Sequence, residues 1–155
     1  MEQNQQENIV FSIEKIYIKD ISYEAPSVPS AFIQSQNAAA EIGIQLGVEH
    51  GALNPEQGIY EVALTVTATA KREGKNLFLA EVKQAGIFRI SGVDGDTLQR
   101  ALEISCSNVL LPFVRETIND LVGRGGFPQL LINPINFETL YDQKQAAQAN
   151  PPSIN

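Results

Sequence analysis

The strictest pattern in this 155-residue chain is an alternation. Val62, Leu64, Val66, Ala68 and Ala70 point one way, and Thr65, Thr67 and Thr69 point the other. A period of two means a β-strand with one covered face, and threonine suits the opposite, solvated side of the pleat. Glu73-Gly-Lys-Asn76 then reads as a hairpin turn, and residues 77–90 return as a second strand with Phe78, Ala80 and Val82 on one face and Phe88 and Ile90 further along it. A short connection of this kind forces antiparallel pairing. Any fold for this chain must include that hairpin, together with something apolar to cover one side of it.

Two earlier segments extend the sheet. Ile9, Phe11 and Ile13 alternate with polar neighbours, and Ile16 and Ile18 continue in the opposite phase. Such a slip signals a bulge or twist. Ala25-Pro26 stops this strand. Residues 25–37 read as a crossover loop that carries Phe32 and Ile33. Ala40, Ile42, Ile44, Leu46 and Val48 alternate again. Residues 49–58, with Gly51, Asn54, Pro55 and Gly58, read as turn material, and Ala85-Gly86 is expected to mark a bulge in the fourth strand.

Helical spacing appears only afterwards. Thr97 can cap a segment reaching Ser105. Ser107 or Asn108 can cap a main helix on which Leu110, Val114, Ile118, Leu121 and Val122 recur at steps of three and four. Pro112 fits if it lies in the first turn. Gly123-Arg-Gly-Gly126 ends that helix. It resembles a phosphate loop only superficially, because it follows a helix instead of preceding one. Residues 127–135 are expected to be extended, and Asn136 can cap a last short helix holding Phe137, Leu140 and Tyr141. Four strands followed by helices make an α+β domain over 9–142. Residues 1–8 are expected to fray, and 143–155 to form a flexible tail.

Composition narrows the function. Eighteen acidic against eleven basic residues give a net charge of -7, which argues against a nucleic-acid partner. The only cysteine, Cys106, cannot form an internal disulfide and reads as a buried structural thiol in a reducing compartment. The N-terminal MEQNQQENIV lacks a signal-peptide pattern, and no apolar run approaches a membrane span. The only histidine, His50, reads as a surface residue in a turn. One His and one Cys supply no metal site, and no nucleophile elbow, P-loop or dinucleotide fingerprint is present. Neither catalysis nor a cofactor is expected. Asp20, Glu24 and Glu81 form either a solvated face or an acidic docking patch. Phe32, Ile33, Leu130, Leu131, Ile132, Phe137, Leu140 and Tyr141 look surplus to a core built from one sheet and one main helix. They can close over that core, be covered by another subunit, or line an open groove.

Several stretches are familiar in order and spacing: IYIKDISYEAP (16–26), IYEVALTVTATA (59–70), FLAEVKQAGIF (78–88) and NVLLPFVRETINDLVGRGGFPQLLINPINFETLY (108–141). In them the chain resembles the bacterial protein-export chaperone family SecB, over about residues 9–141. The resemblance implies a four-stranded antiparallel sheet, a long helix and a short C-terminal helix, assembled as a homotetrameric dimer of dimers with the long helices between sheets. It implies a cytoplasmic chaperone that holds unfolded precursor proteins without using nucleotide, inserts into no membrane, and delivers its clients to the translocase ATPase SecA. It places SecA binding on Asp20, Glu24, Leu79 and Glu81, and tetramer assembly on Phe78, Ala80, Val82 and Gln84. It places a client groove between the crossover loop and the last helix, lined by Phe32, Ile33, Leu130, Phe137, Leu140 and Tyr141. The tail departs from the pattern: the last helix turns polar early, at Asp142-Gln-Lys144, and no acidic residue follows Asp142. Two alternatives stand beside this reading. One is a chaperone dedicated to a single partner such as an antitoxin. The other is a small-molecule enzyme of the hot-dog type, although that fold places its long helix early.

Overall fold

The computed structural model describes residues 8–34 and 38–149. Of the expected frayed start, 1–8, residues 1–7 lie outside them, as does the Pro151-Pro152 end of the tail. Strands β1 (Val10–Glu24), β2 (Glu41–Asn54), β3 (Ile59–Arg72) and β4 (Lys75–Ser91) form one antiparallel sheet in the order β1-β4-β3-β2. The alternating pair β3 and β4 is therefore central, and β1 and β2 are the edges. The β3–β4 turn is two residues long, with Glu73 and Gly74 both at positive φ (50° and 77°). Such a turn matches the strand twist, and it explains the Glu-Gly pair.

β1 resolves the phase slip. Its register skips Glu14 and again Lys19 opposite β4. Each extra residue flips the parity of the strand. Phe11, Ile13, Ile16, Ile18, Ile21 and Tyr23 consequently all fall opposite the inward-facing residues of β4, although no single alternation connects them. The bulges that break the β1 pattern lie in β1 itself, and none occurs at Ala85-Gly86, where β4 pairs without interruption on both sides. Gly86 has a different cause. A Cβ there would sit 2.7 Å from the Phe88 ring, on the same face of the strand.

β2 is longer than expected. Glu49 to Asn54 stay in the sheet, and the turn is only the 3-10 segment Pro55–Gln57, capped by the Asn54 side chain and closed by Gly58 at φ 68°. Gly51 pairs with Glu61 on the outer face, where a missing side chain is tolerated. His50 is thus a strand residue on the inner face and not a surface turn residue.

The helices α1 (Ser30–Ile33), α2 (Gly95–Arg100), α3 (Cys106–Arg124) and α4 (Phe137–Ala149) complete the chain. α2 and α3 are one continuous run, joined through a π-helical turn at Ala101–Ser105. Ser105 has helical dihedrals and makes no capping bond, so the expected break at Ser107 or Asn108 does not occur. Asp94, not Thr97, occupies the start of the run. Pro112 lies inside α3. Its missing N–H leaves the Asn108 carbonyl without the usual donor.

Leu110, Val114, Ile118 and Val122 of α3 are fully buried on the inner faces of β3 and β4. Gly125 and Gly126 end α3 as expected. Gly126 (φ 86°) donates to the Gly123 carbonyl at 3.1 Å and Phe127 to the Val122 carbonyl at 3.1 Å, the paired bonds of a Schellman end. Residues 128–136 are irregular, and the Asn136 side chain caps α4 through the Thr139 N–H at 3.0 Å. α4 outlasts its apolar pattern and continues to Ala149.

Candidate functional site

One long helix covers two strands of a four-stranded sheet. The inner rows of the edge strands are left open on both flanks. On β1, Phe11, Ile13, Ile18 and Ile21 remain 42–48% exposed. On β2, Ile42 and Ile44 remain 47% and 38% exposed, and Leu46 and Val48 are half-buried.

The β2 row carries a cleft at each end. The first, about 380 Å³, holds Phe32, Ile42, Arg72, Phe78, Phe127 and Leu130. Its wall is a series of rings. Phe32 lies 5.0 Å from Phe127, Phe127 lies 5.3 Å from Phe78, and Phe78 lies 6.3 Å from Tyr23. Two glycines permit this packing: a Cβ on Gly126 would sit 3.0 Å from Phe32, and one on Gly125 only 1.8 Å from the Tyr23 hydroxyl. The irregular segment is pinned below by Leu130, whose N–H donates to Asn119 Oδ1 of α3 at 2.9 Å.

The second cleft, about 290 Å³, lies between Leu46 and Val48 and the α4 residues Phe137, Leu140 and Tyr141, with Glu103 and Lys144 at its edge. Polar links hold α4 there. Arg100 pairs with Glu138 (2.9 Å) and Asp142 (3.2 Å) and lies over the Tyr141 ring. The Tyr141 hydroxyl donates to Asp96 at 2.8 Å, which raises its pKa. Lys144 pairs at 2.7 Å with Glu103, a buried carboxylate of the π-helical turn. His50 Nε2 approaches the same carboxylate at 3.6 Å.

The expected groove set is therefore divided. Phe32 and Leu130 line the first cleft, and Phe137, Leu140 and Tyr141 line the second. Ile33, 80% exposed, lines neither. Ile42 and Leu46 lie four residues apart on the strand between the clefts, a span of roughly 13 Å. Sequence reading missed Phe127, Arg72 and the β2 row as lining. The alternation of β2 was visible, but its exposure follows from strand order and from where α3 lies.

The outer face of the sheet is polar. Asp20, Glu24, Leu79 and Glu81 meet there: Asp20 is opposite Lys83, and Glu24 is opposite Leu79. Glu81 accepts from Thr67 Oγ1 at 2.8 Å. Nearby, Glu61 accepts from the Tyr17 hydroxyl and from Lys19 (2.9 Å), and these bonds hold its carboxyl below the ordinary range. Phe78, Ala80, Val82 and Gln84 lie on the opposite, inner face, 0–4% exposed. Gln84 donates to the Tyr17 carbonyl at 3.1 Å, beside the Lys19 bulge. Cys106 is buried as expected, and desolvation pushes its thiol up to about 12. Among the described residues no acidic, His or Cys cluster of metal-binding type occurs, and no helix is long and apolar enough to cross a membrane.

Residues 3–148 match the family described as preprotein translocase subunit SecB. The chain belongs to the SecB family. It is 48% identical over 149 residues to the protein-export protein SecB of Chromobacterium violaceum, covering 96% of this chain and 97% of that one. It is 46% identical to the SecB of Methylobacillus flagellatus, covering 94% and 90%. A solved SecB-like chaperone of Mycobacterium tuberculosis, in complex with a peptide of an antitoxin, has the same fold. Its TM-score is 0.66 at 17% identity, over 81% of this chain and 90% of that one. The expected SecB fold is thus present, with a four-stranded antiparallel sheet, a long helix and a C-terminal helix.

Proposed function

We propose that this SecB-family protein binds unfolded precursor chains along the β2 row in the cytoplasm, keeps them competent for export and passes them to SecA. The observation that carries this reading is an apolar row left open beside α3, with a cleft at each end. An extended chain repeats its side chains on one face every two residues, and it exposes the apolar groups that a folded protein hides. Half-open aromatic and aliphatic walls bind such segments with little demand on sequence. Binding only the unfolded form opposes client folding by mass action.

The open β1 row supports association into a dimer of dimers, because apolar area of this kind is normally covered by another subunit. Phe78, Ala80, Val82 and Gln84 bear on assembly only indirectly, through how α3 seats on β4. Asp20, Glu24, Leu79 and Glu81 form the surface proposed for SecA. The first two make no ion pair among the described residues, which leaves their charge available to a basic partner. A chaperone dedicated to an antitoxin is not favoured: the relatives at 46–48% identity are protein-export proteins, and the antitoxin-bound neighbour is far more distant.

The test is capture of a denatured precursor, followed by light scattering and by suppression of client refolding. Wild-type protein near four subunits is expected to bind and to delay refolding. Leu140→Ala with Tyr141→Ala is expected to weaken holding without changing the mass of the assembly. Undiminished suppression by the double variant removes the α4 cleft from the client site.

A further inference from the structure

Both walls of the α4 cleft end in a nitrogen base. On β2 the inner row Ile42, Ile44, Leu46 and Val48 is followed, in the same alternation, by His50. On α4 the face made by Phe137, Leu140 and Tyr141 is followed at the next helical step by Lys144, and all four line the cleft. The two lines meet at one side chain. Glu103 accepts from Lys144 Nζ at 2.7 Å and lies 3.6 Å from His50 Nε2. Its carboxylate is buried, whereas Lys144 is half-exposed. It is supplied by the π-helical turn Ala101–Ser105, an interruption of the ordinary helical ladder of a kind that recurs at functional sites.

Apolar burial does not hold the far half of α4. Phe137 and Tyr141 are buried, but Asp142 to Ala149 are all exposed. Among the described residues, the ties of that stretch are Asp142 to Arg100 and Lys144 to Glu103. The first pair faces solvent, where ion pairs contribute little. The second joins an ammonium to a desolvated carboxylate, which is costly to leave unpaired. A wall already fixed when a ligand arrives spares that ligand the cost of ordering it.

We propose that Glu103 is a positioning residue of the α4 cleft: its carboxylate clasps Lys144 against the His50 end of β2, and so fixes the wall carrying Leu140 and Tyr141 before a client enters. This rests on the cleft being a client site, as proposed above. Glu103 touches no client itself. It acts through the placement of α4.

Two measurements on the full-length protein test this. Hydrogen exchange followed by mass spectrometry compares α4 with β3. Fluorescence anisotropy measures affinity for an uncharged, unstructured peptide of Phe, Leu, Gln and Asn, blocked at both ends. Glu103→Gln keeps the shape and removes the charge, so α4 is expected to exchange about fivefold faster with β3 unchanged, and the peptide to bind about fivefold more weakly. Lys144→Met is expected to lose more, because it strands the buried carboxylate, and adding Glu103→Gln to it should recover part of that loss. Lys144→Arg should bind and exchange like wild type. Wild-type affinity in Glu103→Gln overturns the proposal. So does faster exchange in β3 as well as α4, which marks a role in general stability, and so does a Lys144→Arg variant as weak as Lys144→Met. The client-site reading fails separately: in that case wild type does not bind the peptide, or Leu140→Ala with Tyr141→Ala binds it as wild type does.

Discussion

Gly125→Ala tests the ring packing behind the aromatic cleft. The Gly125 backbone has φ -75°, so an alanine meets no conformational penalty there. The obstacle is spatial: its Cβ would lie 1.8 Å from the Tyr23 hydroxyl oxygen and 2.5 Å from the ring carbon bearing it. Ordinary contact needs about 3.5 Å, so the Tyr23 ring must move by more than an ångström. It cannot do so alone, because it stacks at 6.3 Å and 21° on the buried Phe78, which in turn packs on Phe127. Overpacking of this kind costs about 1–3 kcal/mol. For a chain of this length that is a fall in Tm of about 2–12 °C. Circular-dichroism melting at fixed protein concentration measures it. Tyr23→Leu removes the obstructing atoms, so the double variant should cost at least about 1 kcal/mol less than the sum of the single changes. Gly123→Ala is the control. Nothing lies within 4 Å of its Cβ, and alanine in a helix should stabilise by up to about 1 kcal/mol. If Gly125→Ala melts with wild type, or Gly123→Ala costs as much, steric fit is not what fixes the glycine pair.

Asp20→Ala with Glu24→Ala should weaken SecA binding and spare client binding; titrations of SecA that superpose for both proteins would refute the surface assignment. Native Cys106 should resist a thiol reagent at mildly alkaline pH until the protein is unfolded by denaturant, and equal labelling rates in the two states would contradict its burial. Because its folded pKa is raised to about 12, its contribution to stability is fully present below the ordinary thiol range and is lost as pH rises from there towards 12. Cys106→Ala should flatten that alkaline decline, as read by urea unfolding. Glu61 has the opposite sign. Its pKa is held down by Tyr17 and then by Lys19, so its contribution is present above the ordinary carboxylate range and fades as pH falls through its depressed value. Glu61→Gln should lessen the acid-side loss of stability, and identical acid profiles would refute this.

The central hairpin and the end of α3 were legible because one local rule decides each. Alternation fixed β3 and β4, and Gly125-Gly126 marked the helix end. Extents were less legible. Gly51 looked like a turn residue, yet an outward-facing position in a paired strand tolerates glycine. Ser107 and Asn108 looked like caps, yet packing carried the helix straight through them. The bulges in β1 could be sensed as a phase slip but not counted, because only the partner strand shows which residue is extra. The site was legible as a list of surplus apolar residues. Its division into two clefts was not, because it depends on β2 being an edge strand and on α3 covering only β3 and β4. Arg72, Glu103 and Lys144 lie far apart in sequence from most of the residues they meet, and no spacing rule joins them.

The two extra residues of β1 make that strand behave like a message read in frames of two. Deleting Glu14 alone would invert Phe11 and Ile13 relative to everything after them, turning two large apolar groups to the polar side and exposing polar neighbours inward. Deleting Lys19 as well would restore agreement at the start of the strand but leave Ile16 and Ile18 inverted. Length changes here are therefore not graded like those in a loop. Each one garbles a defined stretch of the strand, and only a second change at the matching place can make it legible again.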